Sequence, residues 1–315
     1  MKNFWFYIFI LLFAVVIGST LFWIDKINRQ IYAQDLQKKV DNSLKYSLEL
    51  ISDEKKRATQ IAVLLSKNEK IVSGYIKNDR KTIFDELKLV LESIKFQNSD
   101  ETVDIQMHTS DLKSYVKSWN FDDFGTELKS FRKGLLKVKE TQEPIVSIEL
   151  GRRLNIKAIA PITINKDFLG SVEVIFGFEN IEKKMQEQKI NFIVLLEKQY
   201  LKLAVDTKKF DSIDNYAQIT QSCKNQCLKE LKNNILKIDN SYIKTDEFVF
   251  GFIPLYDISG QKLGFIGVAF EVDALGESHL LYNEKKLIDF GLSQETNMSI
   301  HKNHNLVKIN EITIR

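Results

Sequence analysis

Between positions 105 and 132 the chain reads IQMHTSDLKSYVKSWNFDDFGTELKSFR. Most of the sequence is rich in Lys and Leu with little punctuation, but here a His, a Trp, a Gly among aromatics and an Arg crowd together. Such a set could capture a small anion, because fixed cations give charge-assisted hydrogen bonds and an apolar wall excludes water. The cations are Lys117 and Arg132, joined further on by Arg152, Arg153 and Lys157, and the wall would be Tyr115, Trp119 and Phe124. If residues 110–118 were helical, Lys113 and Lys117 would share a face. In the competing reading Trp119 and Phe124 are core, and Arg132 pairs with Glu149, Asp122 or Asp123 to pin the segment.

His108 can be a ligand contact, a metal ligand or a capped strand end. No second His or Cys lies near it, since His279, His301 and His304 all stand in the C-terminal tail, so no metal and no cofactor are expected. The HKNH run at 301–304 has ligand-like spacing but lacks supporting acids and reads as solvated tail. KKLIDFGLSQ (285–294) resembles the metal-binding segment of protein kinases, with Asp289 in the metal position. Neither the Gly-rich phosphate loop nor the HRD catalytic loop accompanies it, so the match is coincidental. No nucleophile–base pattern, P-loop or dinucleotide fingerprint occurs, and the chain is not expected to be an enzyme. Cys223 and Cys227, four apart, would form a local disulfide outside the cytoplasm or serve as two small buried residues.

The elements that hold these residues begin with FWFYIFILLFAVVIGSTLFWI, residues 4–24, which carry no charge. A helix of that length spans about 31 Å, a bilayer core. Trp5, Tyr7 and Trp23 stand near its ends, where aromatic rings favour the interface. Bulky residues follow it instead of a small-x-small cleavage site, so it reads as an uncleaved single-pass anchor. Lys26, Arg29, Lys38 and Lys39 would place the domain inside on a literal positive-inside count, but long domains escape that rule. Across 315 residues, 45 basic and 42 acidic side chains are interspersed, which argues against a nucleic-acid partner.

From Asp25 to about Phe96 apolar residues recur at helical spacing, reading as one long helix that packs on its own domain with some dimer contact. After Asn98 the period changes. TVDIQMH alternates like a strand and TELKSFRKGLLKVKE returns to helix, followed by the strands IVSIEL, LNIKAIAPITI and LGSVEVIFGF. ENIEKKMQEQ is a connecting helix, INFIVLLE a strand, and 212–237 a helical region leading to EFVFGFIPLYDI and KLGFIGVAFEV. The fold class is α+β with antiparallel sheets. APITINKDFLGSVEVIFGF (160–178) resembles IPLYDISGQKLGFIGVAFEV (253–272): Pro161 and Pro254 stand 93 apart, Leu169-Gly170 and Leu263-Gly264 stand 94 apart, as do Phe176 and Phe270. One module used twice accounts for that order.

An anchor, a long helix and two α+β modules in series resemble the double-Cache (tandem PAS-like) sensory regions of bacterial chemoreceptors, sensor kinases and diguanylate cyclases. HTSDLKSYVKSW, FGTELKSFR, IVSIELGRRLNIKAIAP and FLGSVEVIFGF are similar to the first module of the double sensory domain of two-component sensor kinases. The resemblance covers 105–178 well, and the second module chiefly at its final hairpin. It implies an anchor at 1–24, a helical stalk at 25–96, a membrane-distal module at 97–178, a connecting helix at 179–189, a membrane-proximal module at 190–273 and a polar tail at 274–315. It further implies a protein of the bacterial inner membrane with its domain in the periplasm, binding a small, anionic, carboxylate-bearing metabolite in the first module. The ligand-binding set would be His108, Tyr115, Lys117, Trp119, Phe124, Arg132, Glu149, Arg152, Arg153 and Lys157. Lys117 and Lys157 stand where the family usually has Arg, which removes the planar fork for bidentate carboxylate binding. The tail shows neither a second span nor an output module, so a signal would pass through the helix, a homodimer made along 25–96, or a partner receptor. The alternatives are a scaffold subunit without ligand and a truncated receptor remnant.

Overall fold

The computed structural model describes residues 2–97, 102–204 and 211–272. The tail segments around His279, Asp289, His301 and His304 lie outside the described residues, as do the side chains of Trp5 and Tyr7. Helix α1 (Lys2–Ser66) runs unbroken from the apolar N-terminal segment into the domain. It is the one described helix long and apolar enough to cross a membrane. Its described side chains up to Ile24 are not buried, whereas Leu36, Val40, Leu44, Ile51, Ala58 and Ala62 are core.

The sequence reads as a single stalk to about Phe96, but the chain breaks twice, giving α2 (Glu69–Ile76) and α3 (Arg80–Gln97). Short polar side chains make the breaks. Asn68 Oδ1 accepts from the backbone N–H groups of Lys70 and Ile71, and Asp79 accepts from the N–H and hydroxyl of Thr82. Each offers the orphaned donors of a new helix start a better partner than continuing the old one. Apolar spacing alone carries straight through such a corner.

Strands β1 (Val103–Thr109), β2 (Ser114–Lys117), β3 (Ile145–Leu150), β4 (Leu154–Ile164) and β5 (Asp167–Phe176) form one antiparallel sheet in the order β2-β1-β5-β4-β3. Helix α4 (Lys133–Thr141) covers one face and α5 (Glu179–Glu187) leads out. The second sheet holds β6 (Asn191–Glu197), β7 (Ser212–Ile213), β8 (Tyr216–Gln218), β9 (Tyr242–Lys244), β10 (Phe248–Tyr256) and β11 (Lys262–Glu271), ordered β7-β8-β6-β11-β10-β9. Leaving out β7, the orders coincide strand for strand, and the repeated hairpins are β4–β5 and β10–β11. The expected helix over 212–237 is shorter: two small strands precede α6 (Asn225–Asn234). A disulfide joins Cys223, just ahead of α6, to Cys227 in its first turn.

The inner faces of both sheets pack against α1. Val40 lies so close to β10 that a Cβ at Gly251 would collide with it, and Lys39 sits 4.4 Å from the Phe270 ring centroid. Further along, Arg57 stacks on Phe176 at 4.4 Å. The second module therefore sits nearer the apolar segment and the first module farther from it.

Lys55 on α1 is only 2% exposed, and burial lowers its ammonium to about 8. A Lys whose folded pKa lies below its unfolded value burdens the folded state at neutral pH, and that burden lifts as pH rises from about 8 towards about 10.4. Lys55→Met should accordingly raise stability at pH 7 by about 1–3 kcal/mol. It should also flatten the alkaline rise in denaturant-unfolding free energy; a destabilised variant would refute this.

Candidate functional site

The two sheets differ on the face turned away from α1. In the first module that face carries Gln106 and His108 on β1, Ser171 and Glu173 on β5, Asn155 and Lys157 on β4, and Ser147 and Glu149 on β3, all buried. In the second, the corresponding strands present Ile193 and Leu195, Phe265 and Gly267, and Phe248 and Phe250. These pack with α6 into an apolar core that includes Phe252 and the disulfide cysteines. Period-2 alternation places both sets. The same architecture is stabilised by aromatic filling in one copy and lined with charge in the other.

The charged face closes around Arg132, which enters from the residue before α4 and is 4% exposed. Its guanidinium Nη2 donates to Glu173 Oε1 and lies 3.5 Å from Glu149 Oε2. Glu149 Oε1 also accepts from the N–H of Gly134 at 3.0 Å. His108 Nδ1 shares a 3.0 Å hydrogen bond with Ser171 Oγ. Its Nε2 stands 3.6 Å from Glu173 Oε2, beyond hydrogen-bond reach. Four polar atoms here are buried without a hydrogen-bond partner: His108 Nε2, Arg132 Nε, Glu149 Oε2 and Glu173 Oε2. Buried polar atoms are normally paired, and these four stand together in one cluster.

Electrostatics fix the charge states. Burial works against the Glu173 carboxylate, but Arg132 first and then Lys157 hold it well below the ordinary range. Burial likewise opposes the Arg132 charge, and Glu173 and Glu149 more than restore it. Burial and then Arg132 lower Lys157 to about 8. His108 is lowered by burial despite Glu173, so at neutral pH it is an uncharged imidazole. With Arg132 and Lys157 set against Glu149 and Glu173, the cluster is close to neutral overall.

Of the residues singled out from the sequence, His108, Arg132, Glu149 and Lys157 meet in this cluster. Lys117 is buried on β2, 2.6 Å from Asp123 Oδ1. Arg152, 57% exposed in the β3–β4 turn, reaches the other oxygen of Asp123 at 3.7 Å. Asp123 thus ties loop 118–127, which pairs along the β2 edge, to the β3–β4 turn as well. Arg153 pairs with Asp104 on β1.

Tyr115 turns to the helix side, where a register shift in the β1–β2 ladder lets its hydroxyl donate to Asn78 Oδ1 at 2.8 Å. Trp119 (43% exposed) and Phe124 (56% exposed) stand on the surface, and Arg80 lies 3.7 Å above the Phe124 ring. The segment 110–118 is a turn and a strand rather than a helix, so Lys113 pairs locally with Asp111 and Glu127. Glu173, Ser171, Gln106 and Asn155 join the site without having been singled out. Glu173 had a legible signal: a lone acid at an inward position of the alternating, otherwise apolar GSVEVIF.

The double sensory domain of two-component sensor kinase, as a family description, matches residues 33–275. No curated protein matches the chain. Among solved structures it is similar to the extracellular domain of vpHK1S-Z8, a histidine kinase by its description, at 14% identity and a TM-score of 0.49, covering 82% of this chain and 98% of that one. It is also similar to the Vibrio cholerae histidine kinase DctB sensor domain, at 13% identity and a TM-score of 0.47 over 76% and 98%. A third is the ligand-binding domain of the Campylobacter jejuni chemoreceptor Tlp3 in complex with 4-methylisoleucine, at 11% identity and a TM-score of 0.45 over 78% and 94%.

Proposed function

The chain belongs to the family of double sensory domains of two-component sensor kinases, and on that premise we propose that it is a membrane-anchored, extracytoplasmic sensor whose first module binds a small charged metabolite. The observation that carries this reading is the exchange of filling between the two modules. Where the second is packed with Phe248, Phe250 and Phe265, the first holds His108, Arg132, Glu149, Lys157 and Glu173, with four of their polar atoms unpartnered. A purely structural face would have no reason to keep charge where apolar filling serves the same fold. The α1 helix, continuous with the apolar segment 4–24, is the proposed anchor, with 97–178 as the distal module and 190–273 as the proximal one.

The unpartnered atoms also narrow the ligand. Two carboxylate oxygens ask for donors, and the Nε–H of Arg132 asks for an acceptor. An amino-acid-like zwitterion meets both demands better than the plain anion expected from the cations alone. Entry would displace loop 118–127, which Asp123 ties to Lys117 and Arg152. A ligand that binds the opened arrangement better shifts the population towards it, and the shift would leave through α1 or sideways to a partner receptor. A homodimer through α1 would rest on Ile27 and Ile31, with Leu64 at the far end, all exposed apolar residues; between them the outward positions include Asn42, Lys45, Asp53, Lys56 and Gln60.

The competing reading, a scaffold module without ligand, draws on the near-neutral pairing of the cluster. A thermal-shift screen of the full-length protein in detergent micelles against amino acids, organic acids, amines and purines separates the two. A zwitterion bound at 100 times its Kd should add about 2.7 kcal/mol and raise Tm clearly. A folded protein that responds to none of the four classes would favour the scaffold.

A further inference from the structure

We propose that Lys133 is a latch between the modules, whose grip on the second module reports the state of the charged cluster in the first. The inference needs no ligand and stands apart from the identity of one. Three consecutive residues, Arg132 to Gly134, face two ways at the start of α4. Arg132 holds Glu173 and Glu149. The N–H of Gly134 is bonded to Glu149 Oε1, and a Cβ there would stand 2.8 Å from Glu149 Oε2, so the backbone is seated hard against that carboxylate. Lys133, between them, turns outward to the second module.

Its ammonium reaches Asp257 Oδ2 at 2.8 Å, Ser259 Oγ at 2.6 Å and Gln261 Oε1 at 3.2 Å. An ammonium has three donors, and all three are spent on the turn between β10 and β11. Asp257 is 9% exposed at its side chain and organises that turn: its Oδ1 accepts from the N–H of Ser259, the hydroxyl of Ser259 and the N–H of Gln261. This distinguishes the contact from an ordinary surface ion pair, which contributes little. From the turn the path continues along β11, which carries Phe270 against Lys39 of α1. A change that moves Arg132 or Glu149 must shift the backbone at Lys133, and the turn either follows or lets go. Coupling of this kind is carried by elements with two discrete arrangements.

Hydrogen exchange of the full-length protein in detergent micelles, with no ligand added, tests the latch on the peptide covering the 257–261 turn. Lys133→Met should speed exchange there several-fold. Glu149→Leu, which takes a partner from Arg132 and the acceptor from the N–H of Gly134, should speed it as well. Glu173→Gln, run in parallel, disturbs Arg132 while leaving the seat of Gly134 intact. In the Lys133→Met background neither change should add anything at the turn. The latch is overturned if neither cluster variant alters exchange at 257–261, or if their effects persist undiminished without Lys133.

Discussion

Replacing Arg132 with Leu should destabilise the protein by about 3–5 kcal/mol, the cost of leaving buried charge without its partner. Glu173 is fully buried and has Arg132 as its closest cation, and Glu149 shares the same guanidinium. Lys157 lies on the same face, its pKa lowered to about 8 by burial and Arg132, and left alone there its one ammonium would face two buried carboxylates. Denaturant unfolding at pH 7 measures the loss directly. A cost under about 1 kcal/mol, the range of exposed pairs, would mean that water reaches the cluster freely.

The pH dependence of that loss identifies its origin. In the wild-type protein Glu173 has a folded pKa below its unfolded one. Its contribution is therefore complete above about 4.3 and fades as pH falls through the folded value. Without Arg132, burial dominates and pushes the carboxyl above its unfolded value. The variant then suffers most where the unfolded carboxylate is ionised and the folded one must be, and protonation relieves it. The gap between the two proteins should narrow steadily from pH 7 to pH 4. An equal gap at both ends would assign the loss to packing and not to charge.

The fold was legible to the extent that it rests on period. Period placed β1, β3, β4, β5, β6 and the final hairpin β10–β11, and the offset of 93–94 residues between repeats matches the strand order common to both sheets. What periodicity could not show were corners set by single polar side chains, as at Asn68 and Asp79. Nor could it show the short β2, whose register shift turns Tyr115 away from the site. The site was half legible for a related reason. Arg132 closes the unusual run at 105–132 and Lys157 stands in a family-like segment, so both attract notice. Their partner Glu173 sits 41 residues from Arg132, and its meaning depends on which face of β5 looks towards α4. Trp119 and Phe124 have the composition of a pocket wall but stand on an exposed loop, and composition says nothing about the direction a loop takes.

Neutralising the whole cluster should do the opposite of removing Arg132 alone. His108→Leu, Arg132→Met, Glu149→Gln, Lys157→Met and Glu173→Leu, made together, leave no uncompensated charge, and the amide introduced by Glu149→Gln keeps an acceptor for the N–H of Gly134. Buried ionic groups replaced by apolar residues of similar volume are often neutral or stabilising by about 1–4 kcal/mol, and the second module already displays this solution with Leu195, Phe250 and Phe265. The combined variant should thus be at least as stable as the wild type at pH 7, while the roughly 2.7 kcal/mol that a saturating ligand adds to the wild type should vanish. Stability and response would then have been separated at one face, which is what a sensor requires: charge retained at a cost to the fold because the ligand needs it. Loss of stability in the combined variant would instead make the cluster a structural network. A response that survived would move the ligand to another part of the protein, since none of the five altered side chains could any longer supply charge to it.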